Sequence, residues 1–407
     1  MAVRQVFTPF RDDKYMKQFS LNTLFASFSF VNILAAFLLL CSFQPFFVWT
    51  NGLLYSLANF LLVLVLISSL KIDKNNILYI LVLFLLFSWV NIRGGYTIIG
   101  ALANYCLLII VCLKEKRYIQ VYDCFTTLFT VVICISLILY ILVVIAGVNL
   151  PSYELEPLNK SKHDVVYHCY LFLVTYESYG LILPRFCGIF DEPGVVGTIC
   201  GCLLVANRFN MKDIRNVIIF LAGVFSLSLF FFVVFFIYVF LFSNFKVKIS
   251  AVFIAVILLF FFSNNEFIDY YLLDRFEFSG GKMAGDSRKL GLSQSWYKSF
   301  QSSSSYYWGL GNDAHSRYNA GGSSYSDLII DYGVVFLLIY IVSGMFYAFK
   351  RLKHLKLWLA FLLVFGGVIY QRPFITIMGY FFLMLAPIYT LDRRKEIVIN
   401  DELNRQR

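Results

Sequence analysis

The residues able to do chemistry fall in two polar stretches of an otherwise apolar chain. The first reads Arg185-Phe-Cys-Gly188-Ile-Phe-Asp191-Glu192-Pro193-Gly194 and leads straight into an apolar run. Proline suits the first turn of a helix, where its missing N–H has no partner to lose. Asp191 and Glu192 then sit beside a helix N-terminus, which favours negative charge. One reading is purely structural: a capped helix, with Arg185 paired to one of the acids. The other gives Arg185 a ligand. A guanidinium stays charged at any pH and matches a diphosphate through two parallel hydrogen bonds.

The second stretch holds Asp274-Arg275, then Gly280-Gly281-Lys282-Met-Ala-Gly285-Asp286-Ser287-Arg288-Lys289. Farther on come Trp296, Gly309-Leu310-Gly311 and His315-Ser-Arg317-Tyr318. Glycines beside basic residues let backbone N–H groups approach an anion. The spacing is not that of a P-loop, and a glycine-rich solvated turn is the plain alternative. Histidine titrates near neutrality, so His315 joins Glu192 and Asp286 as a candidate proton acceptor. The four histidines are scattered and the nine cysteines form no CxxC pair, so no metal site or cofactor is expected. Most cysteines lie in apolar runs, where a thiol behaves as a small hydrophobe. Cys169 and Cys187 are the two that both fall outside such runs, and the sequence leaves their pairing open.

The elements that must position these residues are membrane helices. Of 407 residues, 60% are hydrophobic and 14% charged, and the mean hydropathy is +0.75. A soluble domain carries about 25% charged residues. Apolar runs at 22–43, 47–70, 77–92, 97–113, 123–147, 193–209, 217–245, 249–263, 328–349, 357–371 and 373–390 have the lengths of membrane segments. The polar start, Met1–Ser20, lacks a cleavage site, so the first helix is expected to stay as an anchor. The net charge of +10 reflects basic cytoplasmic loops and does not call for nucleic acid.

Basic residues fix the sides, and they conflict at one place. The run 217–245 has basic residues on both flanks, and both flanks want the cytoplasm. A break near Phe225–Leu229 resolves this, with Ser226 and Ser228 available to the freed backbone groups. The expected fold is therefore an all-α polytopic membrane protein of about twelve membrane helices, one pair of them a short hairpin. Its parts are N-terminal helices over 1–148, a first external loop over 149–192 and further helices, including the hairpin, over 193–263. A large external loop over 264–326, folded as a partly helical cap, precedes C-terminal helices over 327–392 and a cytoplasmic tail over 393–407. Both termini lie inside. In the short external connections the basic residues are Arg93 and Arg372.

The order of features resembles the Wzy-type O-antigen polymerases and the related O-antigen ligases. Arg185-x-x-Gly188 and Glu192-Pro193 lead into a membrane helix, and a broken helix follows. A large external loop with Arg288, Trp296 and Gly309-x-Gly311 then ends at a helix bearing Gly333. The likeness covers 180–345. It implies a bacterial inner-membrane glycosyltransferase with periplasmic active loops. Such an enzyme joins oligosaccharide repeat units carried on undecaprenyl pyrophosphate, for O-antigen, capsule or exopolysaccharide. It implies diphosphate contacts from Arg185 and Arg288; Arg275 and Arg317 stand behind them as further candidates, and Gly188, Trp296 and Tyr318 are candidate contacts to diphosphate or glycan. Membrane lipid, a chain-length regulator and a flippase are the implied companions. The ligases place a histidine about ten residues before the glycine that matches Gly333; here Gly322-Ser323-Ser324 stands there, which favours a polymerase over a ligase. A lipid-linked-oligosaccharide flippase is the alternative of another class. Transporters carry charges near the membrane midplane, whereas these apolar runs are nearly free of them.

Overall fold

The computed structural model describes residues 28–49, 51–95, 98–156, 166–177, 184–243, 245, 248–249, 278–279, 282–283, 294–318, 325–372 and 375–391. Residues 250–263 of the run 249–263 and the candidates Arg275, Asp286 and Arg288 lie outside them.

The described chain is mostly helical, and short polar side chains start the helices. Ser29 accepts from Asn32 N, Asn51 from Leu53 N and Leu54 N, Asp73 from Asn75 N, and Asp213 from Arg215 N. Each bond satisfies a first-turn N–H that has no partner inside the helix. Among the described residues three helices are long and apolar enough to cross a membrane: Lys74–Gly94, Glu115–Ile145 and Val334–Arg351. Eight shorter apolar helices accompany them. The outer helices expose Leu53, Phe60, Leu64, Leu85, Phe240 and Phe349. A water-soluble surface rarely gathers so many large apolar groups, and a bilayer-facing surface does.

Two helices form the centre. Pro193–Ala206 and Met378–Thr390 are buried on nearly every side. Neither has a polar face, which is the composition of a helix packed all round. Pro193–Ala206 packs against Ile214–Phe225, Leu229–Phe242, Leu355–Gln371 and Met378–Thr390. Long-range bonds tie the second central helix in: Tyr118 donates to Phe382 O, and Thr390 Oγ1 to Ala206 O at 3.1 Å.

The run 217–245 is broken at the expected place. One helix ends at Phe225 and the next starts at Leu229, with Leu227 at φ 46° between them. Ser226 Oγ donates to Gly223 O at 2.6 Å and accepts from Ser228 N at 3.3 Å. The turn lies against Gly197, where an added Cβ would come within 2.2 Å of Ser228 Cβ. The absence of a side chain there is what lets the backbones approach.

Other boundaries differ from the sequence reading. The run 97–113 forms two pieces, Ile98–Cys106 and Leu108–Cys112. The run 328–349 is split by Gly333 into Tyr325–Tyr332 and Val334–Arg351. Small sheets, which the sequence reading did not anticipate, interrupt the helical pattern in both loops. Tyr153–Leu155, Val166–Cys169 and Val174–Glu177 pair antiparallel in that order, with Tyr153 opposite Cys169 and His168 opposite Thr175. Phe278–Ser279 pairs with Lys282–Met283. Within the large loop, Gln294–Gln301, Ser305–Trp308 and Ala314–Arg317 are helical.

Candidate functional site

The segment from Pro184 to Glu192 has no regular structure, so its backbone is satisfied by neighbours. Tyr140 donates to Pro184 O at 2.8 Å, and Phe186 N to Phe225 O at 3.2 Å. Val174 N donates to Gly188 O at 2.7 Å and Phe46 N to Ile189 O at 2.9 Å. Tyr167 donates to Asp191 O at 3.0 Å. Gly188 holds φ +58°, and a Cβ there would come within 2.7 Å of Ile133 Cδ1. The segment is thereby fixed to the first sheet, the helix break and two neighbouring helices.

Glu192 is the N-cap residue of Pro193–Ala206, yet its carboxylate makes no cap bond. It accepts from Arg372 Nη2 at 2.8 Å. Arg372 closes helix Leu355–Gln371 and is 7% exposed. Burial by itself would lower its pKa. Glu192, then Tyr380 and Asp191, outweigh that, and the pKa is raised. The guanidinium lies over Gly194, where a Cβ would sit 2.5 Å from Nη2. The acid next to Pro193 therefore pairs with an arginine 180 residues away, and not with Arg185. Arg185 is half-buried, with its Nε enclosed and without a hydrogen-bond partner. Cys187 and Cys169 are buried free thiols.

A second centre forms where the large loop returns to the helices. Tyr325–Tyr332 is buried from Ser326 onward and stops at Gly333, φ +92°. The turn Gly309–Gly311 lies along its last residues. Leu310 N donates to Ile330 O at 2.8 Å and Gly311 N to Asp331 O at 2.9 Å. A Cβ on Gly309 would come within 2.3 Å of Asp331 O, and one on Gly333 within 2.2 Å of Tyr307 O. These glycines allow two backbones to touch, with φ values that L side chains avoid. Tyr332 donates to Asn312 Oδ1 at 2.8 Å, and Trp89 Nε1 to Tyr332 O at 3.1 Å.

That docking delivers His315 to Asp331. One carboxylate oxygen accepts from His315 N at 3.0 Å, and the other lies 2.8 Å from Nδ1. Asp331 is buried, and the imidazole is a quarter exposed. Burial lowers the His315 pKa. Asp331, then Asp327 and Asp313, raise it further than burial lowers it, so it lies above the ordinary histidine value. In the neutral ring Nδ1 carries the proton toward Asp331, and Nε2 keeps its lone pair. Such a nitrogen can accept a proton from a hydroxyl.

Trp296 and Tyr318 come together as a pair, with ring centroids 5.4 Å apart, and Phe300 stacks on Trp296 at 5.3 Å. Tyr318 directly follows the turn bearing His315 and is half exposed. Arg317 Nη2 donates to Leu310 O at 3.4 Å, so it braces the glycine turn. The two centres are linked by one stack: Tyr325 begins the helix that carries Asp331 and lies on Tyr370 at 5.9 Å, two residues before Arg372. Arg372 and Asp331 escaped the sequence reading as site residues. Arg372 had a signal, as an arginine in a short external connection. Asp331 had one too, as an acid within an apolar run.

Among the described residues no group of His, Cys, Asp or Glu could hold a metal ion. The chain matches no family model, no curated protein and no solved structure.

Proposed function

We propose that this protein is a glycosyltransferase of the inner membrane that joins lipid-linked oligosaccharide repeat units on the external face. In this reading about twelve segments cross the bilayer, shorter helices among them, and both termini are cytosolic. The observation that carries the reading is the His315–Asp331 pair. Both carboxylate oxygens orient one imidazole, beside an aromatic shelf of the kind that stacks on sugar rings.

The acceptor hydroxyl attacks the anomeric carbon of the donor glycan. Its proton passes to His315 Nε2, a new C–O bond forms, and the bond to the diphosphate breaks. Undecaprenyl diphosphate leaves with the electron pair. The leaving group is already good, so the main demand is neutralisation of charge. Arg185 and Arg288 serve it, each contact contributing about 3–4 kcal/mol by analogy with oxyanion donors. Glu192 is bonded to Arg372, which makes it a poor proton acceptor and assigns it to positioning.

The test is the glycan ladder of a strain whose only copy carries His315→Ala. Single repeat units at normal protein level are expected; a normal ladder removes His315 from the mechanism. A ligase is the second reading, and one observation favours it. The histidine that stands too early in sequence is held against Asp331, two residues before Gly333. Free long polymer in a deletion strain identifies a ligase, and repeat units left on the cytosolic face identify a flippase.

A further inference from the structure

Two of the crossing-length helices, Lys74–Gly94 and Val334–Arg351, enclose a groove of about 390 Å³. That volume is within the range of about 300–1,000 Å³ typical of small-molecule sites. Most of its wall is apolar: Val82, Leu338 and Val342 line its deeper part. Leu338 and Val342 are more than half exposed, so the groove opens on the surface that faces lipid.

One end is cationic. Lys350 lines the groove beside Asn75 and lies over the Phe346 ring at 4.5 Å. Its neighbour Arg351 is engaged with Asp73 at 3.4 Å and with Asn76. Among the described residues no carboxylate pairs with Lys350. A bare cation at the mouth of an apolar groove, at the end of a crossing helix, is complementary to an anionic headgroup.

The floor is aromatic and rigid. Tyr79 lines it at 4% exposure, stacked on the buried Tyr347 at 4.4 Å, with its hydroxyl enclosed in the bundle.

We propose that this groove binds a glycerophospholipid with an anionic headgroup, drawn from the surrounding leaflet. The phosphate lies at Lys350 and Asn75, and an acyl chain runs along Val82, Leu338 and Val342. The lining includes neither His315 nor Arg185, and the site stands or falls apart from the enzymatic reading.

The full chain, purified in mild detergent and stripped of lipid, is offered phosphatidylglycerol or phosphatidylcholine. Retention is followed by native mass spectrometry and by thermal unfolding. Wild type is expected to retain phosphatidylglycerol about fivefold better, the effect of one lysine near a charged lipid. Lys350→Glu abolishes the preference and Lys350→Arg keeps it. Val342→Trp, which fills the groove, lowers retention of both lipids. Equal retention of the two lipids by wild type, a preference that survives Lys350→Glu, or unchanged retention by Val342→Trp overturns the site.

Discussion

The Glu192–Arg372 pair and the His315–Asp331 pair have the same bond length, 2.8 Å, and opposite characters. Arg372 is buried and charged at every accessible pH. Its partner closes a helix start, and the guanidinium fills space over Gly194. Nothing in that pair can gain or lose a proton near neutrality without breaking it. His315 is partly open, titrates above the ordinary histidine value and keeps one nitrogen uncommitted. The difference separates a clamp from a working group: permanence of charge and burial suit the first, a movable proton and an open side the second.

The largest effect that tests this contrast is on the clamp. Glu192→Ala strips a buried guanidinium of its bonded carboxylate while Asp191 stays nearby, a change that costs up to about 3–5 kcal/mol. Loss of folded protein in membranes is expected, with activity per surviving molecule nearly kept. Normal protein with no activity instead makes Glu192 part of the chemistry and collapses the distinction. Gly333→Ala comes next. The added methyl meets Tyr307 O at 2.2 Å and requires φ +92°, strain worth about 1–3 kcal/mol. Because the turn that delivers His315 rests there, activity should fall more than thermal stability.

Asp331→Asn is the mildest for the fold and the most telling for the proton. With the carboxylate present, the histidine pKa is raised. Its contribution to stability is thus complete below the unfolded value of about 6.5 and is lost as pH rises through the folded value. Activity runs the other way, because a base must be neutral; it should rise through the raised pKa. Asp331→Asn should move that acid limb to lower pH and reduce the maximal rate. An unmoved limb shows that another group titrates.

Parts of this arrangement were legible in the chain and parts were not. The break at Phe225–Leu229 followed from charge and two serines: basic flanks on both sides of one apolar run call for a break, and Ser226 and Ser228 mark its place. The paired rings, Trp296 and Tyr318, stood out as aromatics in a polar loop. The stop at Gly333 did not, because the reason for it is Tyr307, brought close only by tertiary docking. The same holds for Arg372 and Glu192, whose encounter depends on two helices meeting 180 residues apart. Strands of three and four residues such as Tyr153–Leu155 and Val166–Cys169 are too short to show a period. Their place is set by pairing with one another and by the Val174 N to Gly188 O bond rather than by propensity.

The second central helix, Met378–Thr390, is the last of the described helices to be synthesised. Its neighbours include Phe30–Cys41 and Glu115–Tyr140, made long before it. While the ribosome works, those helices surround a space that only this late arrival can fill. Closure of the described core therefore waits for this helix, and anything that delays its arrival leaves an open bundle for membrane quality control to find.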